Sequence, residues 1–115
     1  MVSELPGLAV SVERPEDGHV VVGVVGELDL AGAAKLHPIL LDAAASAVTV
    51  LDLGACTFCD SSGLRTILEA SRQAERTGGS FRVAGVGLSV ARVFELAGVA
   101  AFLRLFPDVE TALKA

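Results

Sequence analysis

Apolar and polar residues alternate with the spacing of β-strands near the start of this chain. Residues Leu8–Glu13 alternate apolar with small or polar side chains, and residues 20–25 form a β-branched run interrupted by one glycine. The Pro-Glu-Asp-Gly segment at 15–18 contains turn residues, so the two strands should form a hairpin. Similar apolar runs predict three more strands, at 48–53, 80–86 and 102–106.

Helical patterns fill the segments between the later strands. The Ala-rich segment 30–45 has helical spacing, although Pro38 within it predicts a kink or a late start. The segment that begins at Ser61 separates an apolar face from a charged face and ends at the glycine pair 78–79. Shorter helices are predicted at 88–97 and Val109–Lys114.

The order of these elements predicts the fold class. Connections from strand through helix to strand favour parallel pairing, whereas the hairpin is antiparallel. With 115 residues, 52% of them hydrophobic, the chain is long enough for one domain with a real core. We therefore expect a single α/β domain over residues 1–115, with a mixed four- to five-stranded sheet and helices packed mainly on one face.

The charged residues exclude several classes of partner. The net charge is −5 and the nine basic residues are scattered, which argues against direct nucleic-acid binding. Charged residues interrupt every apolar stretch well before the roughly 20 residues that a membrane-spanning helix needs. The first ten residues include an acid and lack a basic start, so no secretory signal is expected. These features predict a cytoplasmic protein that binds neither nucleic acid nor membranes.

The segment 48–71 carries the candidate chemistry, because its pattern predicts a strand, a loop at 54–59 and a helix. Asp60 is placed to cap that helix, since its carboxylate can accept from backbone N–H groups two or three residues on. Capping puts Ser61 and Ser62 in the positively charged first turn. Taken alone, the pattern favours an ordinary helix cap.

A Cys-x-x-Cys pair, Cys56 and Cys59, has a spacing that suggests a redox or metal site. However, a thioredoxin-like site needs its first cysteine at a helix N-terminus, and a structural zinc site needs four ligands where the chain has only two cysteines. We expect Cys59 to pack as a small apolar residue, with a redox role as an open alternative.

Two other chemical interpretations lack the residues that they need. Asp52 ends a predicted strand, as a receiver-type phosphoacceptor does, but the turn after Leu8–Glu13 leaves no carboxylate pocket for Mg²⁺. Ser61 and Ser62 lack the Gly-x-Ser-x-Gly context and the base that a serine hydrolase requires. We therefore expect neither a receiver-type phosphoacceptor nor a serine hydrolase, and we expect no cofactor or metal.

Five short fragments occur in a characteristic order along the chain. They are Gly-Glu-Leu-Asp at 26–29, Leu-Asp-Leu at 51–53 followed by Phe58, Asp-Ser-Ser-Gly-Leu at 60–64, Gly-Gly at 78–79 and Phe-Glu-Leu-Ala-Gly at 94–98. In this order and spacing, the chain resembles the anti-sigma factor antagonists of the STAS domain family (sulfate transporter and anti-sigma antagonist) over nearly its full length.

The resemblance implies a regulatory switch and not an enzyme, built as a monomer on a STAS-type domain. In that family the first serine after the motif aspartate is phosphorylated by an anti-sigma factor that is also a serine kinase, which assigns this role to Ser61. The unphosphorylated protein binds the kinase and frees a sigma factor, and a Ser/Thr protein phosphatase resets the switch. The other partner-binding residues that the resemblance suggests are Asp29, Glu27, Asp60, Ser62, Gly63 and Arg65.

The effect of a phosphate on Ser61 follows from its charge. It would add about −1.5 to −2 charges beside Asp60 and near Asp29, on a chain that is already acidic. Burying it at an interface without a cationic partner costs several kcal/mol, and about 4 kcal/mol weakens binding roughly a thousandfold. Phosphorylation should therefore release the partner. The alternative function is a non-switching STAS scaffold or a nucleotide-binding module, although no Gly-rich phosphate cradle accompanies the helix N-terminus.

Overall fold

Strands and helices alternate along the chain after an N-terminal pair of strands. The computed structural model describes residues 2–5 and 7–115, with side chains from residue 7 onward. The strands are β1 (Val2–Leu5), β2 (Leu8–Glu13), β3 (His19–Leu28), β4 (Val48–Cys59), β5 (Ser80–Ala84) and β6 (Arg104–Phe106). The helices are α1 (Leu30–Ala43), α2 (Ser61–Arg76), α3 (Leu88–Leu96) and α4 (Val109–Lys114), with a 3₁₀ turn at Ala100–Phe102.

The six strands form one mixed sheet in the order of the sequence. The pairs β1–β2 and β2–β3 are antiparallel, and the pairs from β3 to β6 are parallel. Because each parallel step moves in the same direction across the sheet, right-handed crossovers bring α1, α2 and α3 to the same face. The α/β class and the mainly one-sided helix packing are therefore confirmed, and β1 adds an edge strand to the five predicted ones.

The main core lies between the sheet and these three helices. From β3, alternate residues Val20, Val22 and Val24 point into it, and Ile67 of α2 and Phe94 of α3 are fully buried against them. Helix α4 covers the opposite face, where a smaller cluster forms. That cluster consists of Val50, Ala84 and Ala112, with partly buried apolar residues around them.

The loop predicted at 54–59 is wrong, because β4 continues as a strand to Cys59. Its second half pairs with the end of β3, where Leu28 lies opposite Cys59, after two register shifts along the pair. Such irregularities let a strand continue through residues of low β-propensity such as Gly54. The longer strand carries the chain directly into α2.

The late start predicted for α1 is also wrong. The helix begins at Leu30 and runs through Pro38 to Ala43. Leu36 and Leu40, on either side of the proline, are fully buried in the core. Their packing offsets the backbone hydrogen bond that proline removes, because tertiary contacts supply most of the stability of a helix in a protein.

Two other element ends differ from the predicted bounds. β5 stops at Ala84, since Gly85 adopts a positive φ of 73° that leaves the extended conformation. β6 starts at Arg104, because residues Ala100–Phe102 form the 3₁₀ turn instead of the first part of the strand. The helix end predicted at the glycine pair 78–79 is confirmed, with a φ of 79° at Gly78.

A buried arginine of β5 links α4 to the sheet through a hydrogen bond. Arg82 on β5 is only 7% exposed, and its Nη1 donates to the Ala112 carbonyl at 2.6 Å. Its Nε donates to Ser80 Oγ at 3.1 Å, and Arg104 Nη1 donates to the same oxygen at 2.8 Å. Burial, together with the neighbouring charge of Arg104, lowers the pKa of Arg82. The carbonyls at the C-terminal end of α4 carry partial negative charge and accept the guanidinium.

Removing this guanidinium should destabilise the fold. For Arg82→Ala we expect the free energy of unfolding to fall by about 2–3 kcal/mol, because charged hydrogen bonds and packing are both lost. Chemical denaturation measures this loss. Arg104→Ala is the matched control, because Arg104 binds the same hydroxyl from an exposed position and should cost less than about 1 kcal/mol. Equal, small losses in both variants would contradict the role assigned to Arg82.

Candidate functional site

Two helices begin side by side at one edge of the sheet. Leu28 and Cys59 are opposite each other at the ends of the parallel strands β3 and β4. The next residue of each strand, Asp29 and Asp60, is the N-cap of the helix that follows. The Asp60 amide still donates to the Leu28 carbonyl at 3.1 Å, so the hydrogen-bond ladder between the strands continues to the N-cap of α2. The two capping carboxylates therefore occupy equivalent positions on neighbouring strands.

Each carboxylate accepts from the first turn of its own helix. Asp29 Oδ1 accepts from the Gly32 amide at 2.8 Å. Asp60 Oδ1 accepts from the Ser62 amide at 2.9 Å and from the Gly63 amide at 3.2 Å. Both acids thus satisfy backbone N–H groups that a helix leaves without internal partners. The cap predicted at Asp60 is confirmed, and the placement of Asp29 beside it is a result of strand register.

The two serines of the first turn face different surroundings. Ser61 is exposed and lines a groove of about 450 Å³ on the side of α2 toward Val99. Ser62 is half-buried and lines a second groove, between α1 and α2. Arg65, one turn further along α2, is exposed and lines both grooves. Of the two hydroxyls, that of Ser61 is the more accessible to another protein.

Exposed apolar side chains occur in the segments next to the capping acids. Phe58 of β4 is 46% exposed and lies opposite the exposed Glu27 of β3. Leu30, in the first turn of α1, is 73% exposed, and Val25 of β3 is 57% exposed. Exposed apolar residues grouped with polar ones are typical of protein-binding surfaces. Sequence reasoning did not select Leu30 or Val25 for this surface, because an apolar residue in a helix or strand is ordinarily assigned to the core.

Gly63 allows α2 to lie close to the strand ends. A Cβ atom at this position would be 2.8 Å from Cys59 Sγ and 2.9 Å from the Leu28 carbonyl oxygen. Both contacts are shorter than side-chain carbons adopt, so only glycine permits this approach. Gly63 was predicted among the partner-binding residues, and the structure buries it. Its clear contribution is to position Ser61 and Ser62 at the surface.

Comparison with known protein families assigns the domain. A family model described as "Mlab, STAS domain" matches residues 11–106, which is most of the chain. The chain belongs to the STAS domain family. The match contains β3, β4 and α2, so it includes both capping acids and both serines.

Solved structures with the same fold include anti-sigma factor antagonists and a sulfate transporter family protein. An anti-sigma factor antagonist from Mycobacterium paratuberculosis is 29% identical, with a TM-score of 0.83 over 97% of this chain and 96% of that one. SpoIIAA, an anti-sigma factor antagonist solved in its unphosphorylated form, is 22% identical, with a TM-score of 0.78 over 91% and 93%. A sulfate transporter family protein from Wolinella succinogenes is 20% identical, with a TM-score of 0.77 over 89% and 87%. The last two share the fold.

A hydrogen bond between side chains joins α1 and α2 of the STAS domain behind the serines. His37 Nε2 of α1 lies 2.7 Å from Glu69 Oε2 of α2, and both side chains are about two-fifths exposed, at 42% and 41%. Arg65 and Glu69 have the i,i+4 spacing that favours an ion pair on a helix. The structure instead directs Glu69 to His37, across to the neighbouring helix. Arg65 is left facing solvent at the rim of both grooves.

The two cysteines of the STAS domain are buried thiols. Cys56 Sγ donates to the Phe58 carbonyl at 3.2 Å, and Cys59 is 2% exposed beneath α2. Burial, reinforced by the charges of Cys56 and Asp60, raises the pKa of Cys59 to about 12. Burial also raises the pKa of Cys56. Because the thiolate is the reactive form, these environments oppose a redox role, and Cys59 packs as the predicted small apolar residue.

Residues 2–5 and 7–115 include neither a group of metal-ligating side chains nor a membrane-spanning helix. That part of the chain contains no group of three or more His, Cys, Asp or Glu side chains arranged to hold a metal ion. Nor does it contain a helix that is long and apolar enough to cross a membrane. The candidate site therefore consists of the paired helix N-termini and the exposed residues around them.

The raised pKa of Cys59 predicts a loss of stability at alkaline pH. The unfolded chain releases this proton near the ordinary pKa of 9.0, whereas the folded chain holds it until about pH 12. The protonated Cys59 thiol therefore stabilises the folded state fully below pH 9.0, and this stabilisation is lost as the pH rises toward 12. Chemical denaturation at several pH values between about 8 and 11 measures this effect. The free energy of unfolding should fall more steeply with pH for the unaltered protein than for Cys59→Ala.

The matched control for this experiment is Cys56→Ala, which retains Cys59 and should retain most of the alkaline decline. Comparing the slopes of the free energy of unfolding against pH between variants cancels the contribution of other groups that titrate in this range. Identical slopes for the unaltered protein and Cys59→Ala would show that the buried thiol does not carry the effect.

Proposed function

We propose that this STAS domain is an anti-sigma factor antagonist that changes partners according to the phosphorylation of Ser61. The observation that carries the proposal is the exposed Ser61 hydroxyl in the first turn of α2, beside the two capping acids. Likeness to the antagonist from Mycobacterium paratuberculosis over nearly the whole of both chains supports this class of function. The protein acts in the cytoplasm, as a regulator and not as an enzyme.

In the unphosphorylated state, the surface around Ser61 binds an anti-sigma factor that has serine kinase activity, and a sigma factor is released. The apolar centre of this surface is formed by Leu30 and Phe58, which are exposed beside the capping acids. Its polar rim is formed by Glu27, Asp29, Asp60, Ser62 and Arg65. An apolar centre with a polar rim matches the usual anatomy of a protein interface. Gly63 is buried beneath this surface and contributes to it by positioning the first turn of α2.

Phosphorylation then makes the same surface unfit for binding. The kinase transfers the γ-phosphoryl group of ATP to Ser61 Oγ, whose proton is lost to a base of the kinase, and ADP leaves. The new group adds about −1.5 to −2 charges next to Asp60. The free protein tolerates this charge because a helix N-terminus favours anions. A buried interface without a new cation does not, so the kinase dissociates. Hydrolysis of the phosphoserine by a Ser/Thr phosphatase restores the hydroxyl.

The choice of Ser61 over Ser62 now has support from accessibility as well as from family resemblance. Ser61 is exposed, whereas Ser62 is half-buried and lines the groove between α1 and α2. A kinase must place the acceptor oxygen in line with the γ-phosphate, which requires an accessible hydroxyl. Ser62 therefore serves as a neighbouring contact residue.

This assignment predicts which serine accepts phosphate. The protein is incubated with ATP and the anti-sigma kinase of its own organism, and the modified residue is mapped by mass spectrometry. One phosphate should be found at Ser61, Ser61→Ala should accept less than about one hundredth as much, and Ser62→Ala should remain a substrate. Phosphate that persists in Ser61→Ala, or that maps elsewhere in the unaltered protein, would refute the assignment.

A non-switching STAS module is the second candidate function. It is favoured by the fold shared with a sulfate transporter family protein, because the same fold then occurs in proteins other than anti-sigma factor antagonists. A nucleotide is the small ligand to consider, because the α2 N-terminus attracts anions. Calorimetric titration with ATP, ADP, GTP and GDP in the absence of any kinase separates the two functions. Micromolar or tighter binding would favour the module, and lack of binding would favour the switch.

A further inference from the structure

We propose that Arg65 binds the phosphate of phosphorylated Ser61 within the same helix. This inference rests on the phosphorylation proposed above and extends it to the residue that receives the new charge. Ser61 and Arg65 are four residues apart on α2, so they are neighbours on one helix surface, with Cβ atoms about 5–6 Å apart in an ordinary helix. Both also line the groove of about 450 Å³ on the side of α2 toward Val99. The guanidinium can therefore reach the phosphate without a change in the backbone.

Arg65 is free to make this contact. Within the described residues its guanidinium forms no hydrogen bond or ion pair, and the side chain is exposed. The acid that could compete for it, Glu69 one turn further on, is held by His37 of α1 at 2.7 Å. The arrangement along α2 thus leaves a cation one turn from Ser61 and assigns the nearest acid on that side to another partner. An anion N-terminal to a cation at this spacing is the favourable order on a helix.

The acidic groups near Ser61 repel a phosphate, so a compensating positive charge is needed there. Asp60 precedes the phosphorylated position, and Asp29 caps the neighbouring helix, so both acids oppose a phosphate dianion. Their carboxylates are already committed to backbone N–H groups and do not move away. The next arginine on α2 is Arg72, seven residues beyond Arg65 and more than ten from Ser61. Arg65 is therefore the arginine of α2 placed to compensate the phosphate.

The pairing sharpens the mechanism of the switch. In the unphosphorylated protein, Arg65 is available at the rim of the surface for an acidic group of the partner. After phosphorylation the same guanidinium binds the phosphate, because arginine and phosphate form strong charge-assisted hydrogen bonds. The partner then meets a new negative charge and also loses a cation. One modification changes the surface in two ways.

Titration of the phosphate tests the pairing directly. Phosphoserine is incorporated at position 61 during translation, so that no kinase is needed, and its second ionisation is followed by ³¹P NMR. A nearby cation favours the dianion and lowers this pKa, so Arg65→Gln should raise it by about 0.2–0.4 pH unit. Arg72→Gln, the matched control on the same helix, should leave it unchanged. An equal pKa in the unaltered protein and Arg65→Gln, or an equal shift in Arg72→Gln, would overturn the proposal.

This experiment separates the pairing from the wider function. Arg65 is exposed, so its replacement should leave the fold intact, and circular dichroism with thermal unfolding verifies this. Because the phosphate is placed genetically, the ³¹P result does not depend on whether a kinase recognises Ser61. A shift that requires Arg65 establishes the pairing even if the kinase assay fails. Absence of the shift overturns the pairing while leaving the kinase assay to decide the switch.

Discussion

The hydrogen-bond ladder between β3 and β4 determines the geometry of the whole site. It runs past two register shifts to the last residues of both strands and ends with the Asp60 amide bound to the Leu28 carbonyl. Because the strands are parallel and adjacent, the helices that follow them begin at the same sheet edge. Two capping aspartates, two positive helix ends and an exposed serine are thereby brought together by backbone pairing. Gly63 keeps α2 close enough to the strands to maintain this arrangement.

The same geometry explains how a small modification could have a large effect on binding. A phosphate at Ser61 would lie in the first turn of α2, where the helix N-terminus favours negative charge, so the fold itself would be little disturbed. At a protein interface, the dianion would be taken out of water next to the carboxylate of Asp60. The cost of phosphorylation would therefore fall on the complex and not on the free domain. Such an asymmetry is what a partner switch requires.

Much of this fold could be predicted from the sequence, because hydrophobic periodicity reports burial. The hairpin, the parallel strands and the amphipathic α2 were predicted on that basis. The extension of β4 to Cys59 was not, since its pairing partner is supplied by tertiary structure and Gly54 lowers the local β-propensity. Pro38 likewise suggested a kink or a late start for α1, whereas the helix begins at Leu30 and burial of Leu36 and Leu40 maintains it around Pro38.

The candidate site was predictable only in part. The cap at Asp60 follows from local chemistry, but the preference for Ser61 came from family resemblance alone. The structure adds a physical distinction, because one serine is exposed and the other lies in the groove between helices. The hydrogen bond that holds Glu69 and leaves Arg65 free joins residues 32 positions apart, and no local pattern reveals it.

The central claim concerns affinity, and one measurement tests it most directly. The dissociation constant for the anti-sigma kinase is determined by calorimetry for the unphosphorylated protein and for the protein carrying phosphoserine at position 61. We predict that phosphorylation weakens binding by roughly a thousandfold, which corresponds to about 4 kcal/mol. Equal affinity of the two forms for the kinase would contradict the proposed switch.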